Sequence, residues 1–209
     1  MQEKTLELYP KIIKNNWTVL DIGAYEGIHS QIFARLADQG KVYSFEPMPS
    51  NYNLLYENVK NYKNVTTINK AVSNIDGTTN LYYGKLCGSS ESNIRGKDLD
   101  ENPTQIICSI ECVTIDNYFK LEEKIDFIKI DVEGAENLVL EGMKQTLLKY
   151  KPILIIEFHN DEGWEGAFVL DSIGYKILNV YSNFTECSMT KERGCYHGVA
   201  MPREVNILL

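Results

Sequence analysis

Acidic side chains and one histidine follow two predicted strands, at the point where each strand ends. The stretch IDFIKIDVEG carries Asp131 and Glu133, and the stretch PILIIEFHN carries Glu157 and His159. Carboxylates and imidazole accept protons from hydroxyl groups during group transfer, and together they also suit Mg²⁺ or another divalent cation as ligands. We therefore take Asp131, Glu133 and His159 as the predicted catalytic residues and leave a divalent metal open.

These residues also have plain structural explanations. Asp131 and Glu133 stand just before a predicted helix, where acids cap the free backbone N–H groups. His159 could equally be a hydrogen-bonded structural histidine. Capping and catalysis can coexist at one residue, so the pattern alone does not identify the proton acceptor.

The segment TVLDIGAYEGIHS, residues 18–30, places two glycines between a predicted strand and a predicted helix. Glycines in such a turn let a ligand approach the backbone, and the turn leaves N–H groups free to bind it. The spacing of Gly23 and Gly27 is not the G-x-G-x-x-G of dinucleotide-binding turns. Asp21 and Glu26 would repel a diphosphate and favour a cationic, hydroxylated ligand such as S-adenosylmethionine, although a turn without a ligand is the simpler alternative.

Two further residues would complete a nucleoside site. Glu46 ends the second predicted strand, 23 residues after Gly23, near the position of the ribose-binding carboxylate in nucleoside-binding β–α–β units. Its carboxylate can accept hydrogen bonds from both ribose hydroxyls. Ala71, at the end of the third predicted strand, is small enough to lie against an adenine ring, although core packing would explain it equally well.

Apolar, β-rich runs alternate with helical patterns along most of the chain, and this alternation predicts the fold class. Nearly continuous apolar strands joined by helices predict an α/β protein with a Rossmann-like, doubly wound, mostly parallel sheet. The third of these strands is predicted at 65–72, and one uninterrupted helix at 135–150. Ligands bind such sheets beyond the carboxyl ends of the strands, so the residues named above should share one crevice.

The length of 209 residues predicts a single domain, 1–209. Within it, the polar stretch at 85–105 predicts a substrate-side loop or lid. Two short apolar pieces near the C-terminus, HGVAM and EVNILL, predict an antiparallel hairpin that closes the sheet.

Charge and hydropathy exclude several classes of partner. The net charge of −8 disfavours binding to nucleic acid. No apolar run approaches the roughly 20 residues of a membrane-spanning helix, and the first residues lack the apolar core of a signal peptide. We therefore expect a soluble, cytoplasmic protein with no membrane partner, whose oligomeric state the sequence does not indicate.

Taken together, these motifs resemble the FkbM-type methyltransferases, a branch of the S-adenosylmethionine-dependent enzymes. The matching pieces are VLDIGAYEGIHS, VYSFEPMPSNYNLLYENV, INKAVSN, CVTIDNY, IDFIKIDVEGAENLVLEGM and PILIIEFH, which follow the family's order over residues 17–160. Single pieces are weak signals, but the combination of FEP-x-P with KIDVEGAE and IEFH is specific.

The resemblance implies a class I methyltransferase fold with seven strands, the last of them antiparallel. It also implies O-methylation of a hydroxyl on a sugar, glycan or other small molecule. The residues to which it assigns cofactor binding are Asp21, Gly23, Ala24, Gly27, Glu46, Ala71 and Asp131.

Three other functions stay open at this point. An NAD-dependent oxidoreductase is disfavoured by the glycine spacing and by the acids at the turn. A nucleic-acid methyltransferase is disfavoured by the charge and by the lack of a tetrapeptide that would hold a flipped base. A catalytically silent fold that binds the cofactor or a protein partner can be excluded only by measuring turnover.

Overall fold

The structure is a computed structural model that describes residues 3–82, 94, 106–159, 161–187 and 197–205. Helices and strands alternate over most of this part of the chain. In chain order the elements are α1 (Glu3–Ile12), β1 (Thr18–Ile22), α2 (Ile28–Leu36), β2 (Lys41–Phe45), α3 (Pro49–Val59), β3 (Val65–Ile68), β4 (Ala71–Val72), β5 (Gly77–Tyr82), β6 (Ile106–Val113), α4 (Ile115–Tyr118), β7 (Phe127–Ile130), α5 (Glu136–Glu141), α6 (Lys144–Tyr150), β8 (Ile153–Glu157), α7 (Asp161–Ser172), β9 (Tyr175–Asn179), β10 (Thr185–Glu186) and β11 (His197–Pro202).

The main sheet has the strand order β10-β9-β11-β8-β7-β1-β2-β3. Strands β3, β2, β1, β7 and β8 pair in parallel, and β11 runs antiparallel to both of its neighbours, β8 and β9. This arrangement confirms the predicted Rossmann-like, mostly parallel sheet with an antiparallel last strand. It also adds an eighth strand, because the two-residue β10 pairs with the outer edge of β9.

The core lies on both faces of this sheet, as buried parallel strands require. Every residue of β1 and of β7 is buried. One apolar cluster joins β1, β7 and β8 to α5, α6 and α7, and a second joins the sheet to α1 and α2. In the second cluster Tyr9 packs edge-on against Phe33 and Phe127. Helix α1, which the sequence analysis did not predict, therefore covers one face of the sheet.

The prediction of one strand over residues 65–72 was wrong. Strand β3 pairs with β2 in the main sheet, whereas β4 pairs with β6 in a separate sheet of three strands. The chain turns between them at Asn69, whose side-chain amide donates to the carbonyl oxygens of Glu46 and Pro47. The break falls between two short strands of different sheets, β3 with only Ile68 buried and β4 buried at both residues.

The predicted C-terminal hairpin was also wrong. Strand β11 contains the HGVAM segment, and its residues 198–200 pair with β8 on one side and β9 on the other. Both edges of this segment are occupied, so EVNILL is not its hairpin partner. Residues 206–209 of EVNILL lie outside the described part of the chain.

The single helix predicted over 135–150 is two helices, α5 and α6, which meet at Gly142 and Met143. Gly142 lies so close to the loop after β4 that a Cβ atom there would be 1.9 Å from the carbonyl oxygen of Ser73. The backbone of Gly142 also accepts a hydrogen bond from Asp116 N at 3.1 Å. Close approach of the backbone, which periodicity cannot show, therefore breaks the helix.

None of the helices in the described part of the chain is long and apolar enough to cross a membrane.

Gly142→Ala tests whether the close approach of Gly142 to the backbone of Ser73 determines the stability of the folded protein. Helix propensity alone predicts stabilisation by about 1 kcal/mol. The contact with Ser73 predicts the opposite sign, a loss of about 1–3 kcal/mol, because the backbone would have to move apart. The measurement is the free energy of unfolding in urea. Lys144→Ala, at an exposed position of α6, is the matched control and should change stability by less than about 0.5 kcal/mol; a stable Gly142→Ala variant would contradict the argument.

Candidate active site

The turn between β1 and α2 lies directly against the carboxyl end of β7. Gly23 has a φ of +77°, and a Cβ atom at this position would be 1.8 Å from the carbonyl oxygen of Asp131. The N–H groups of Gly23 and Ala24 both donate to the carbonyl oxygen of Phe45, at 3.1 and 3.0 Å. Only glycine fits at position 23, and the turn is held between the ends of β2 and β7.

Lys129 connects this turn to the acids of the site. Its ammonium group is almost fully buried and donates to Gly23 O and to Asp131 Oδ2, both at 3.1 Å. It also lies 3.8 Å from Asp21 Oδ1. Burial opposes the charge of Lys129, but the two carboxylates outweigh it, and the pKa of Lys129 is raised. Lys129 and His159 likewise overcome the burial of Asp131 and keep the pKa of its carboxyl group below the usual value.

Glu46 lies at the end of β2 with both carboxylate oxygens bound by backbone amides. Oε2 accepts from Tyr25 N and Oε1 from Met48 N, each at 2.9 Å. Burial raises the pKa of Glu46 to about 7 even though these hydrogen bonds favour the ionised form. The side chain of Asn51 also donates to this carboxylate, whose roughly four lone pairs leave room for a further hydrogen bond from a ligand.

A cavity of about 300 Å³ opens along the carboxyl ends of β1, β2, β7 and β8. Glu46, Met48 and Ala71 line it on the side of β2 and β4. Glu157 and His159 line it on the side of β8. Since the order of the strands separates these two groups, the cavity has a partly apolar end beside β2 and a charged end beside β8.

The predicted cofactor-binding residues divide into two groups. Five line the cavity, namely Gly23, Ala24, Glu46, Ala71 and Asp131. Asp21 and Gly27 do not. The Asp21 carboxylate is fully buried and accepts from Ser30 Oγ at 2.6 Å. Gly27, with φ +88°, packs where a Cβ atom would be 2.7 Å from a methyl group of Leu55. Asp21 and Gly27 therefore stabilise the turn through contacts with α2 and α3, on the side away from the cavity.

The structure brings together the acids and the histidine at the ends of β7 and β8. His159 Nε2 lies 3.6 Å from Asp131, 3.5 Å from Glu133 and 3.7 Å from Glu157. On the opposite side of the ring, Nδ1 lies 2.7 Å from Glu136. Burial disfavours the charged ring, but Glu136 and the other carboxylates outweigh it and raise the pKa of His159 to about 10. His159 is therefore an imidazolium at neutral pH and has no free lone pair with which to accept a proton.

Glu133 has the environment of a proton acceptor. It lines the cavity and occupies the left-handed region with φ +54°, a strained conformation for a residue other than glycine. Burial, together with the negative charge of Asp131 and Glu157, outweighs the attraction of His159 and raises the pKa of Glu133 to about 7. This value lies close to the pH at which a general base works best.

The same residues bear on the question of a metal. Asp131, Glu133 and His159 each offer one ligand atom, and these atoms lie within 4.8 Å of one another. This spacing and these ligand types suit a divalent cation. The imidazolium already balances the acids here, so a cation would have to displace its proton.

Sequence reasoning missed a second histidine in the cavity. His29 lines it from α2, with Nδ1 at 3.0 Å from the hydroxyl of Tyr9 on α1. Burial and the nearby Lys129 lower the pKa of His29, so it is neutral where His159 is charged. His29 precedes the core residue Phe33 by four positions, which places both on the helix face that meets the sheet. That spacing was the signal available in the sequence.

Lys129→Met tests whether the buried cation holds the site together. Removal of the ammonium group leaves the carboxylates of Asp21 and Asp131 without their shared partner, which should cost about 3–5 kcal/mol of stability. The measurement is urea unfolding followed by circular dichroism. The control is Lys124→Met, whose side chain pairs with Asp126 at the surface and should contribute about 0–1 kcal/mol. Equal stability of the two variants would contradict the role given to Lys129.

Known proteins resemble this chain in sequence. The family model described as "Methyltransferase FkbM domain" matches residues 21–188. Among curated proteins, the chain is 26% identical over 169 residues to the 2-O-methyltransferase NoeI of Sinorhizobium fredii, which covers 74% of this chain and 68% of NoeI.

Solved structures share the fold at low sequence identity. The FkbM methyltransferase of Methylobacillus flagellatus superposes with a TM-score of 0.59 and 17% identity over 92% of this chain. This chain spans only 47% of that protein's length. Fibrillarin of Aeropyrum pernix, crystallised with S-adenosyl-L-methionine, matches with a TM-score of 0.50 and 11% identity, over 91% of this chain and 68% of its own. Methylases of ribosomal RNA also occur among the neighbours.

The fold is therefore that of the class I S-adenosylmethionine-dependent methyltransferases, and the matched domain covers most of the chain, including the whole cavity. The chain belongs to the FkbM family of methyltransferases.

Proposed function

We propose that this protein transfers the methyl group of S-adenosylmethionine to a hydroxyl group of a sugar, glycan or other small molecule. The observation that carries the proposal is one cavity with two unlike ends: a buried carboxylate with apolar neighbours beside β2, and acids with an imidazolium beside β8. The first end suits a nucleoside, and the second suits a sulfonium and a hydroxyl group. The printed name of NoeI, a 2-O-methyltransferase, supports oxygen as the acceptor atom.

In this proposal the adenosine lies along the ends of β2 and β4. Glu46 accepts a hydrogen bond from the ribose hydroxyls with the lone pair that Tyr25 N, Met48 N and the side chain of Asn51 leave free. The adenine ring packs against Met48 and Ala71, which are buried apolar residues of the cavity wall. The methionine end then reaches the turn at Gly23, beside the carboxylate of Asp131.

The acids of the other end serve the methyl transfer. Asp131 stays ionised because Lys129 and His159 lie beside it, so it can attract the sulfonium or orient the acceptor hydroxyl. The acceptor oxygen attacks the methyl carbon, the carbon–sulfur bond breaks, and its electron pair stays on sulfur as S-adenosylhomocysteine. The hydroxyl proton passes to Glu133. Such a reaction depends mainly on in-line placement and proton removal, and it needs no metal in principle.

Residues 85–105 are the proposed lid over the acceptor. They lie outside the described residues except Ile94, and Ile94 lines the cavity.

We also propose that residues 1–209 form a single domain. Nucleic acid is excluded as the methyl acceptor in this proposal, because the net charge of −8 opposes a polyanion.

The experiment that tests the function has two stages. Titration calorimetry with S-adenosylmethionine, S-adenosylhomocysteine and NAD⁺ identifies the cofactor. Transfer of tritiated methyl to a panel of methyl glycosides and other hydroxyl compounds, with Mg²⁺ and with EDTA, then identifies the acceptor and any metal. Binding of the first two ligands with transfer to a hydroxyl supports the proposal. Binding without transfer to any acceptor favours a silent fold, and binding of NAD⁺ alone overturns the proposal.

Glu46→Ala tests the ribose contact. We expect S-adenosylmethionine to bind more weakly by about 1.5–3 kcal/mol, the usual loss for hydrogen bonds to a charged group. The measurement is titration calorimetry, after circular dichroism has shown that the variant is folded, because Glu46 also holds Tyr25 N and Met48 N. Glu57→Ala, on the exposed side of α3, is the control and should bind as the wild type does. Unchanged affinity of Glu46→Ala would remove Glu46 from the cofactor site.

Glu133→Gln tests the proton acceptor. The amide has the shape of the carboxylate but cannot take the proton, so turnover should fall by about 10²–10⁴-fold while S-adenosylmethionine affinity is kept. In the wild type only the ionised form of Glu133 is active, so the rate should rise as the pH increases through about 7. Steady-state kinetics between pH 5 and 9 measures both effects, with Glu141→Gln as a surface control. A wild-type profile without this rise, or an active Glu133→Gln, would remove Glu133 from the role.

A further inference from the structure

We infer that His29 is a specificity-determining residue of the acceptor site: held by Tyr9, its ring directs the Nε2–H group at a second oxygen of the acceptor, close to the hydroxyl that is methylated. The acceptor is then a compound with several hydroxyl groups, such as a sugar, rather than one with an isolated hydroxyl. This inference rests on the proposed function.

The position of His29 is set by the first turn of α2. The helix begins at Ile28, so His29 is its second residue and closely follows the turn after β1. His29 lines the main cavity, and it also lines a second cavity of about 20 Å³, which has room for about one water molecule. Asp131 and Glu157 line both cavities as well. The imidazole therefore lies in the wall of the charged end, where the proposed function places the acceptor.

Tyr9 on α1 fixes the orientation of this ring. The Tyr9 hydroxyl lies 3.0 Å from Nδ1 of His29, and the two rings meet edge-on with their centroids 5.7 Å apart. Tyr9 is itself buried, and its ring packs against Phe33 and Phe127 in the core. A side chain that is locked by packing and by a hydrogen bond behind it presents its polar atom in one direction. Nε2 of His29 is therefore in place before any ligand binds.

The contact with Tyr9 also decides which ring nitrogen carries the hydrogen. Burial, together with the charges of Asp21 and Asp131, raises the pKa of Tyr9 well above its usual value, so the phenol keeps its proton. Burial and the nearby Lys129 lower the pKa of His29, so the ring is neutral. A phenol O–H is a strong donor and a neutral imidazole nitrogen is a strong acceptor, so Tyr9 donates to Nδ1 and the ring hydrogen lies on Nε2. The carboxylates nearby favour the same tautomer, because they attract an N–H group and repel a lone pair.

This N–H group is left free for a ligand. Nε2 of His29 makes no hydrogen bond or ion pair within the described part of the chain, and it is not among the buried atoms there that lack a partner. It is therefore open to a cavity. A ligand that fills the cavity removes water from this donor, and leaving the donor without an acceptor is costly. An oxygen of the ligand is needed in its place.

The acceptor is the ligand placed to supply this oxygen. Burial is the largest influence on the pKa of His29 and on that of Glu133, and the charge of Asp131 acts on both of them. These three side chains therefore surround one part of the cavity. A hydroxyl that gives its proton to Glu133 lies in this part, and a neighbouring hydroxyl of the same molecule can accept from His29. The cofactor's own carboxylate would have to lie among the acids of the protein, which repel it.

The first measurement needs no substrate. Long-range ¹H–¹⁵N NMR spectra at neutral pH identify the tautomer of His29, whose signals are assigned by their loss in His29→Phe. The wild type and Tyr56→Phe, a control at an exposed tyrosine of α3, should carry the hydrogen on Nε2 alone. Tyr9→Phe keeps the ring but lacks the hydroxyl, so it should show both tautomers. Hydrogen on Nδ1 in the wild type overturns the inference, as does a Tyr9→Phe spectrum in which His29 is unchanged.

The second measurement combines variants with acceptor analogues. The methyl glycoside with the highest rate is compared with its monodeoxy analogues that keep the methylated hydroxyl. With the wild type, one analogue should have a kcat/KM lower by about 10–100-fold, because removal of one oxygen leaves Nε2–H of His29 without an acceptor. His29→Phe should lose a similar factor on the parent glycoside and no longer distinguish it from that analogue. His29→Gln, whose amide keeps an N–H donor, and Tyr9→Phe should retain part of the preference, and Tyr56→Phe all of it.

Calorimetry with S-adenosylmethionine separates the acceptor from the cofactor as the partner of His29. The affinity should be kept in His29→Phe; a loss of affinity that accounts for the whole loss of turnover would assign the N–H group to the cofactor and overturn the inference. Equal rates of the wild type on all the analogues, or a preference that survives in His29→Phe, would also overturn it. If His29→Phe does not fold, His29→Gln provides the NMR assignment, and Tyr9→Phe with the analogues decides.

The outcomes also distinguish this inference from the proposed function. Absence of methyl transfer to every hydroxyl compound overturns the proposed function and the inference with it. Methyl transfer that does not depend on a second oxygen of the acceptor overturns the inference alone.

Discussion

The rest of the site depends on the ion pairs that the buried Lys129 makes with Asp21 and Asp131. Lys129 and Asp21 are paired residues of neighbouring parallel strands, and Asp131 follows Lys129 by two positions, directly after the end of β7. One buried ammonium group therefore links the ends of two strands and, through Gly23 O, the turn that follows the first of them. Leaving any one of these acids without the cation would cost several kcal/mol, so the three charges specify the geometry together. The turn can reach β7 only because residue 23 is glycine.

Around this interaction, similar acids acquire different properties from their surroundings. Asp131 lies beside Lys129 and His159 and is held ionised, whereas burial, together with other acids nearby, raises the pKa of Glu133 to about 7. Glu46 also has a pKa of about 7, but it is fixed by two backbone amides at the other end of the cavity. Groups whose environments separate their pKa values can take different roles in one reaction. The same argument separates the two histidines, of which His159 is charged and His29 is neutral.

Much of the fold and part of the site follow from the sequence, because both depend on patterns that are local or topological. The proximity of Asp131 and His159 could be predicted from the sequence, since adjacent parallel strands end at one edge of the sheet. Asp21 and Gly27 have the spacing of a ligand-binding turn, but the sequence motif does not show whether they contact the ligand. Both residues face away from the cavity, because Asp21 accepts a hydrogen bond from Ser30 and Gly27 packs against Leu55. The break at Gly142 depends on a carbonyl group 69 positions away in the chain, at Ser73, which no helical periodicity contains. The four-residue spacing of His29 and Phe33 places His29 on the buried face of α2, but its contact with Tyr9 on α1 could not be predicted from that spacing.

The charge of the cavity also bears on why a sulfonium suits it. Before the reaction, the cavity would hold one cation on sulfur and one anion on Glu133. After it, the sulfur is neutral and Glu133 carries the acceptor's proton, so the total charge in the buried site is unchanged. Creating a net charge in a poorly solvated site is costly, whereas mutual neutralisation is not. For this balance to hold, the remaining acids must be compensated throughout by fixed cations, and Lys129 and His159 lie where that compensation is needed.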